Sequence, residues 1–157
     1  MSYSQGPTLA GFVSFAQSQG FVTGIIPADS VWFGYAYDVA LDIVNEALNG
    51  ASPTIYTLAV YNLGLDNLVN WAQDIPGGTL YPNTDLPYFK GLRASLNIAQ
   101  FTPGVVTSAS DSSTSTSLLN PEALKDLTLG DLQNLKTTWG RQYLAFAQMY
   151  GPIWGLT

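Results

Sequence analysis

The architecture of this chain is set by two adjacent helical segments in residues 28–73, with the sequences ADSVWFGYAYDVALDIVNEALNG and ASPTIYTLAVYNLGLDNLVNWAQ. The first predicts a helix over Ala28–Asn49, because its apolar residues recur at the i, i+3, i+4, i+7 spacing of one buried face. Gly50 is typical of a helix end. Ser52 and Pro53 then supply an N-cap and a proline at the first position of a helix that extends to about Gln73. The short link predicts that the two helices are antiparallel neighbours.

One face of each helix is predicted to be buried. In the first helix, the inward residues are expected to be Trp32, Tyr35, Ala36, Val39, Ile43 and Ala47. In the second helix, they are expected to be Ile55, Leu58, Ala59, Leu65, Leu68 and Val69. A different face of the first helix carries an acid at every fourth position, Asp38, Asp42 and Glu46.

Helices are also predicted on both sides of this pair. Residues Pro7–Gln19 favour a short helix with Leu9, Phe12, Val13 and Ala16 on one side. Three prolines and two adjacent glycines indicate a loop over Asp74–Pro87, and a third long helix follows over Pro87–Gln100. Its inward residues are expected to be Phe89, Leu92, Leu96 and Ile98 or Ala99.

The C-terminal third is predicted to be helical with one interruption. Asn120–Pro121 opens a short turn of helix that runs to Lys125, and Thr128–Asp131 is typical of a capping box at the start of the last helical region. That region is expected to break near Thr138–Gly140 and to resume over Arg141–Tyr150.

Two further segments are expected to lie outside the helical core. Nine of the eleven residues from Thr107 to Ser117 are Ser or Thr, which is typical of a disordered linker or of a β-hairpin or extended arm at about residues 105–118 that pairs outside its own domain. The apolar tail, about residues 150–157, is interrupted by Pro152 and is expected to dock on its own domain or on a partner. The prediction is therefore a mainly α bundle of about four to five helices, with an inserted arm and an extended tail.

Composition limits the possible functions. The chain has 157 residues, 46% apolar and 10% charged, which favours one folded domain, 1–157, with a helical core at about 8–100 and 121–150. It has no His and no Cys, which excludes disulfides, thiol nucleophiles and Ser–His or Cys–His catalysis. The first 89 residues carry −7 and the remainder +1, for a net charge of −6, so autonomous nucleic-acid binding is not expected. No signal peptide or membrane span is recognised, and a soluble protein made in a cytoplasm is expected.

The small number of charges also bears on assembly. Soluble monomers carry about 25% charged residues, so part of the apolar surface is expected to meet another chain. A well-packed monomer with a Ser, Thr, Asn and Gln surface is the alternative.

The acids Asp38, Asp42 and Glu46 could hold a divalent cation, but such a spacing is more often a solvated stripe. No catalytic residue, metal ligand or cofactor site is therefore assigned.

Two segments in the second half, Gly104-Val105-Val106-Thr107-Ser108 and, later, Thr137 to Leu144, carry recognisable motifs. They resemble segments of the head-to-tail connector proteins of tailed bacteriophages. Gly104–Ser108 is similar to the G-x-V-x-S segment that leads into a polar hairpin in those proteins. Thr137-Thr138-Trp139-Gly140-Arg141-Gln142-Tyr143-Leu144 is similar to their T-x-[YW]-G-x-x-[YF]-L segment before the last helix. Upstream, Asp29-Ser30-Val31-Trp32 and the apolar Ile55–Gly64 resemble their first and second helices, although a His often found in the second is absent. The likeness in order and spacing covers roughly residues 28–150.

The resemblance implies a ring, usually of twelve copies, that lies beneath the portal in the virion neck and continues the channel for double-stranded DNA. The partners it implies are copies of the chain, the portal and further neck or tail proteins, with DNA passing through without specific binding and with no membrane. The residues expected at the portal or ring interface are Trp139, Arg141, Tyr143, Tyr150, Ile153, Trp154 and Leu156. Those expected in an arm between subunits are Val105, Val106, Thr107, Ser108, Asp111, Thr114 and Thr116. Asp38, Asp42 and Glu46 are candidates to face the channel.

Two other functions remain open at this point. One is a capsid decoration or tail-completion protein that binds a different virion surface. The other is a small hydrolase that uses carboxylates such as Asp38 or Asp42.

Overall fold

The structure is a computed structural model that describes residues 6–100, 105–109, 116–119 and 133–150. Within these residues the helices pack as a bundle, which confirms the mainly α prediction. The helices are α1 (Leu9–Ser18), α2 (Val31–Ile43), α3 (Ala47–Ala51), α4 (Pro53–Trp71), α5 (Tyr88–Ser95) and α6 (Thr138–Met149), and a 3-10 turn spans Ile98–Gln100.

Helix α4 is the centre of the bundle. Thirteen of its nineteen residues are buried, because α1, α2, α3, α5 and α6 all pack against it. Its start is the predicted one: the Ser52 side chain accepts a hydrogen bond from the backbone N–H of Ile55, and Pro53 follows at the first helical position. A helix covered on several sides must bury its polar residues as well, and α4 buries Thr57, Asn62, Asp66 and Asn67.

The long first helix predicted over Ala28–Asn49 is divided in two, so this prediction was wrong in its extent. Helix α2 ends at Ile43, and Val44 adopts an extended conformation (φ −74°, ψ 121°) that places its side chain in the core. The Asn45 side chain then accepts a hydrogen bond from the N–H of Ala47 at 2.9 Å, at the start of α3. Asparagine competes with helix hydrogen bonding in this way, and the chain therefore turns before it continues into α4.

The buried face of α2 also differs from the prediction. The inward residues of α2 and of the segment that follows are Phe33, Ala36, Tyr37, Ala40, Val44 and Leu48. Only Ala36 of the predicted set is fully buried. The sequence offers two apolar stripes about 100° apart on one helix, and aromatic packing selects between them. The Phe12 ring of α1 lies 5.9 Å from the rings of both Phe33 and Tyr37, which fixes the rotation of α2.

The loop predicted over Asp74–Pro87 is present and positions α5. Both carboxylate oxygens of Asp74 accept hydrogen bonds from the start of α5, Oδ1 from Phe89 N–H at 2.6 Å and Oδ2 from Lys90 N–H at 3.1 Å. Arg93 returns to α4, where its guanidinium donates to the carbonyl oxygens of Val69 at 2.7 Å and of Ala72. The predicted helix to Gln100 ends earlier, at Ser95, and Asn97 takes the left-handed conformation (φ 53°) before the 3-10 turn.

Helix α6 begins at Thr138, within the predicted interruption. The chain turns at residues 135–137, and Thr137 caps a helix in which Thr138–Gly140 form the first turn. The prediction of a break at Thr138–Gly140 was therefore wrong by a few residues. The predicted helix over residues 120–125 and the capping box at 128–131 lie outside the described residues.

Two short β-strands lie between α5 and α6 in the sequence. Strand β1 (Val105–Ala109) pairs antiparallel with β2 (Thr116–Leu119), with Val105 opposite Leu119 and an irregularity in register between Val106 and Ser108. The residues between them, 110–115, lie outside the described part of the chain. The β-hairpin or arm therefore stays a prediction.

Candidate assembly surfaces

The segment that resembles a connector motif forms a buried junction between α6 and α4. The Thr137 hydroxyl donates a hydrogen bond to Asp66 Oδ1 and also accepts one, at 2.9 Å, from the N–H of Gly140. A Cβ atom on Gly140 would lie 2.7 Å from Asp66 Oδ1 and would collide with the Asn134 carbonyl oxygen. Glycine is therefore required at 140, because the backbone at Asn134 and the Asp66 side chain of α4 both lie too close to it for a Cβ atom.

The carboxyl of Asp66 is the centre of this junction and is 1% exposed. Burial raises its pKa from the ordinary 3.8 to about 6, while the hydrogen bond from Thr137 and the positive charge of Lys136 act in the opposite direction. The Asn70 side-chain amide donates to its Oδ2 at 3.3 Å. Because the carboxyl is enclosed by its own neighbours, it holds two helices together and offers no base to a substrate.

The predicted interface residues of α6 are divided between the core and the surface. Tyr143 is only 6% exposed, so it has little area for contact with a partner. The ring of Trp139 lies 5.5 Å from the ring of Phe21, and its Nε1 lies 3.5 Å from Gln19 Oε1. Arg141 is exposed and donates to the Leu135 carbonyl at 3.0 Å. Tyr150 is half-buried against the core.

The other predicted contact residues are described in part or not at all. Ile153, Trp154 and Leu156 lie outside the described residues, as do Asp111 and Thr114 of the arm. For the arm residues Val105, Val106, Thr107, Ser108 and Thr116, the structure describes the backbone pairing given above. Their roles at interfaces stay predictions.

The three acids proposed for the channel are exposed but do not share one helix. Asp38 and Asp42 lie on α2, whereas Glu46 follows the break and precedes α3. In the described ranges, no three His, Cys, Asp or Glu side chains come close enough together to hold a metal ion. An orientation of these acids towards a channel stays a prediction.

An apolar surface on α2 was missed by the sequence reasoning. Val31 is 63% exposed, Tyr35 59%, Val39 37% and Ile43 53%, and these four residues recur at every fourth position along the outside of the helix. We call them the α2 stripe. The Tyr35 ring meets the half-buried Trp32 edge-on, with ring centroids 6.1 Å apart. The sequence signal was present, because α2 is apolar on two faces and a helix at the surface of a bundle buries only one of them.

Two of the open pockets on the surface of the bundle are lined by described residues. One, of about 450 Å³, is lined by Lys90, Arg93, Ala94, Asn97, Ile98 and Ala99, and we call it the α5 pocket. The other, of about 470 Å³, lies beside the first turn of α2, and its lining includes Val31, Trp32 and Ile75. In the second pocket, the carboxylate of Asp74 already caps α5.

Comparison of the chain with protein-family models, with curated proteins and with solved structures found no match. The likeness to phage connectors therefore rests on the quoted segments alone. Within the described residues, none of the helices has the length and apolar character needed to cross a bilayer.

Proposed function

We propose that this chain is a structural protein of a tailed-bacteriophage virion, a head-to-tail connector that acts by assembly and catalyses no reaction. In this role, copies form a ring below the portal, in the neck between capsid and tail, and extend the DNA channel towards the tail. The ring is expected to contain twelve copies, as in the proteins that it resembles.

The observation that carries the proposal is the exposed α2 stripe. Large apolar side chains on one helix face favour burial against another protein, since each fully buried one contributes about 1.5–3 kcal/mol. Exposed apolar patches of this kind mark interaction sites in soluble proteins. The one strongly perturbed carboxyl among the described residues, that of Asp66, is enclosed and structural. These features support an assembly protein better than a hydrolase.

The segments that resemble connector motifs, taken in their order along the chain, support the portal as the partner. The resemblance assigns portal contact to the C-terminal residues, which follow α6 directly. Trp154 is the type of residue that dominates the binding energy of protein interfaces. The net charge of −6 is also suited to a conduit for DNA, because a wall that attracted phosphates would retain the genome.

The test is binding to the portal protein encoded by the same phage. The full chain is expected to co-sediment with portal rings, and a chain that lacks residues 151–157 is expected to remain folded and to lose that binding. The matched control is Leu9→Ser, which removes an exposed apolar side chain from α1 and should bind as the full chain does. Portal binding retained by the truncated chain would contradict the docking role of the tail. Binding to the assembled capsid lattice instead of the portal would indicate a decoration protein.

A further inference from the structure

The α2 stripe has a shape suited to one long contact. Its residues are spaced by four, so they form one continuous row that rises about 18 Å along α2 from Val31 to Ile43 and winds about 120° around the helix. Tyr35 lies in its first half and combines a large apolar ring with a polar tip. Aromatic residues of this kind are frequent at the centres of protein interfaces.

One edge of the stripe is acidic. Asp38 and Asp42 each precede a stripe residue by one position, which places them about 100° around the helix from Val39 and Ile43. No Lys or Arg occurs before Lys90 in the chain, so nothing in the first 89 residues offsets this charge. An apolar surface with cations beside its apolar part is therefore the best complement to the stripe.

The α5 pocket of the same chain has these properties. Its lining includes Ala94, Ile98 and Ala99, and its cations are Lys90 and Arg93. Lys90 is exposed, while Arg93 is held by its bonds to the carbonyls at the end of α4 and lies 5.8 Å from the Phe89 ring. The capping of α5 by Asp74 fixes the pocket to the bundle, so little ordering is needed before it binds.

We infer that the α2 stripe of one copy binds the α5 pocket of a second copy, head to tail. The inference deepens the proposed function and rests on its self-assembly. Two α2 stripes facing each other would bring Asp38 and Asp42 of both copies together, and this repulsion disfavours a symmetric dimer. The head-to-tail contact instead places the acids near Lys90. Such a contact repeats from copy to copy, and it closes into a ring where the rotation from one copy to the next divides a full turn. Asp38 and Asp42 then serve this contact and not the channel wall.

The experiment blocks each surface separately and follows self-association by sedimentation velocity as the concentration is raised to the solubility limit. Tyr35→Glu blocks the stripe and Lys90→Glu blocks the pocket, and each is expected to weaken association about 30-fold or more. Tyr35→Ser is a milder second stripe variant. Val22→Glu is the matched control, because Val22 is an exposed apolar residue outside both surfaces. Circular dichroism confirms that each variant is folded.

Mixing the two blocked variants tests the direction of the contact. Each retains one intact surface, so the mixture is expected to form a one-to-one dimer and nothing larger. Asp42→Lys combined with Lys90→Glu is expected to recover part of the association that Lys90→Glu loses. Full association of Lys90→Glu, or a mixture in which no dimer forms, would overturn the inference.

The outcomes also separate the inference from the proposed function. A wild-type chain that stays monomeric up to its solubility limit but binds portal rings would overturn the inference and leave the connector role in place. A chain that associates in the expected pattern but does not bind the portal would support the inference and contradict the connector role.

Discussion

The buried carboxyl of Asp66 makes the stability of the bundle depend on pH. Its pKa in the folded protein is raised from 3.8 to about 6, so folding favours the protonated form. The raised pKa contributes about 3 kcal/mol to the free energy of unfolding. This contribution is fully present below pH 3.8 and is lost as the pH rises through about 6. In Asp66→Asn the group cannot ionise. The free energy of unfolding is measured by denaturant titration at pH 4 and at pH 7. The decrease between these two pH values is expected to be smaller in this variant than in the wild type, and the difference should be about this amount.

The control for this prediction is the variant Asp85→Asn. Asp85 is an exposed aspartate in the loop before α5. This variant removes a charge of the same sign outside the junction, and its pH profile should follow the wild type. The asparagine at 66 can still accept the Thr137 hydrogen bond through its Oδ1, although its amide meets the donor group of Asn70. Equal pH profiles for Asp66→Asn and the wild type would show that the carboxyl is ionised in the fold without cost.

At the scale of elements, the sequence predicted which helices exist better than how they are oriented. The Ser52–Pro53 start of α4 was predictable because capping is local and depends on residues adjacent in the chain. The rotation of α2 was not, because Trp32 and Phe33 are both suited to a core and the choice depends on Phe12, which lies on another helix. The junction at Asp66 could be suspected from a single acid within an apolar helix, but its partner Thr137 lies 71 residues away. Periodicity contains no information about such a pairing.

The docking of α6 on α4 is expected to depend on the missing side chain of Gly140. Gly140→Ala should reduce the free energy of unfolding by about 1–3 kcal/mol, because the new methyl group collides with the Asn134 carbonyl and Asp66. Gly34→Ala is the matched control in α2, where the added Cβ has no atom within 4 Å apart from its chain neighbours and the backbone of its own helix. It should increase stability by about 0.5–1 kcal/mol, since alanine is the better helix former. Thermal and denaturant unfolding measure both, and equal effects of the two substitutions would contradict the close approach.

At the scale of the whole molecule, the uneven charge determines how the chain meets DNA. The net charge of −6 and the absence of Lys or Arg before residue 90 leave the chain with five cationic side chains to neutralise phosphates, against eleven acids. Since affinity for DNA grows with each phosphate neutralised, the free chain is expected to leave double-stranded DNA unshifted in a gel even at low salt. The control is a variant with Asp29, Asp38, Asp42 and Asp85 all replaced by Lys, whose net charge of +2 should produce a shift that salt abolishes. A salt-sensitive shift by the wild-type chain would place a binding surface around Lys90 or Arg141 and would contradict a conduit through which DNA passes without being held.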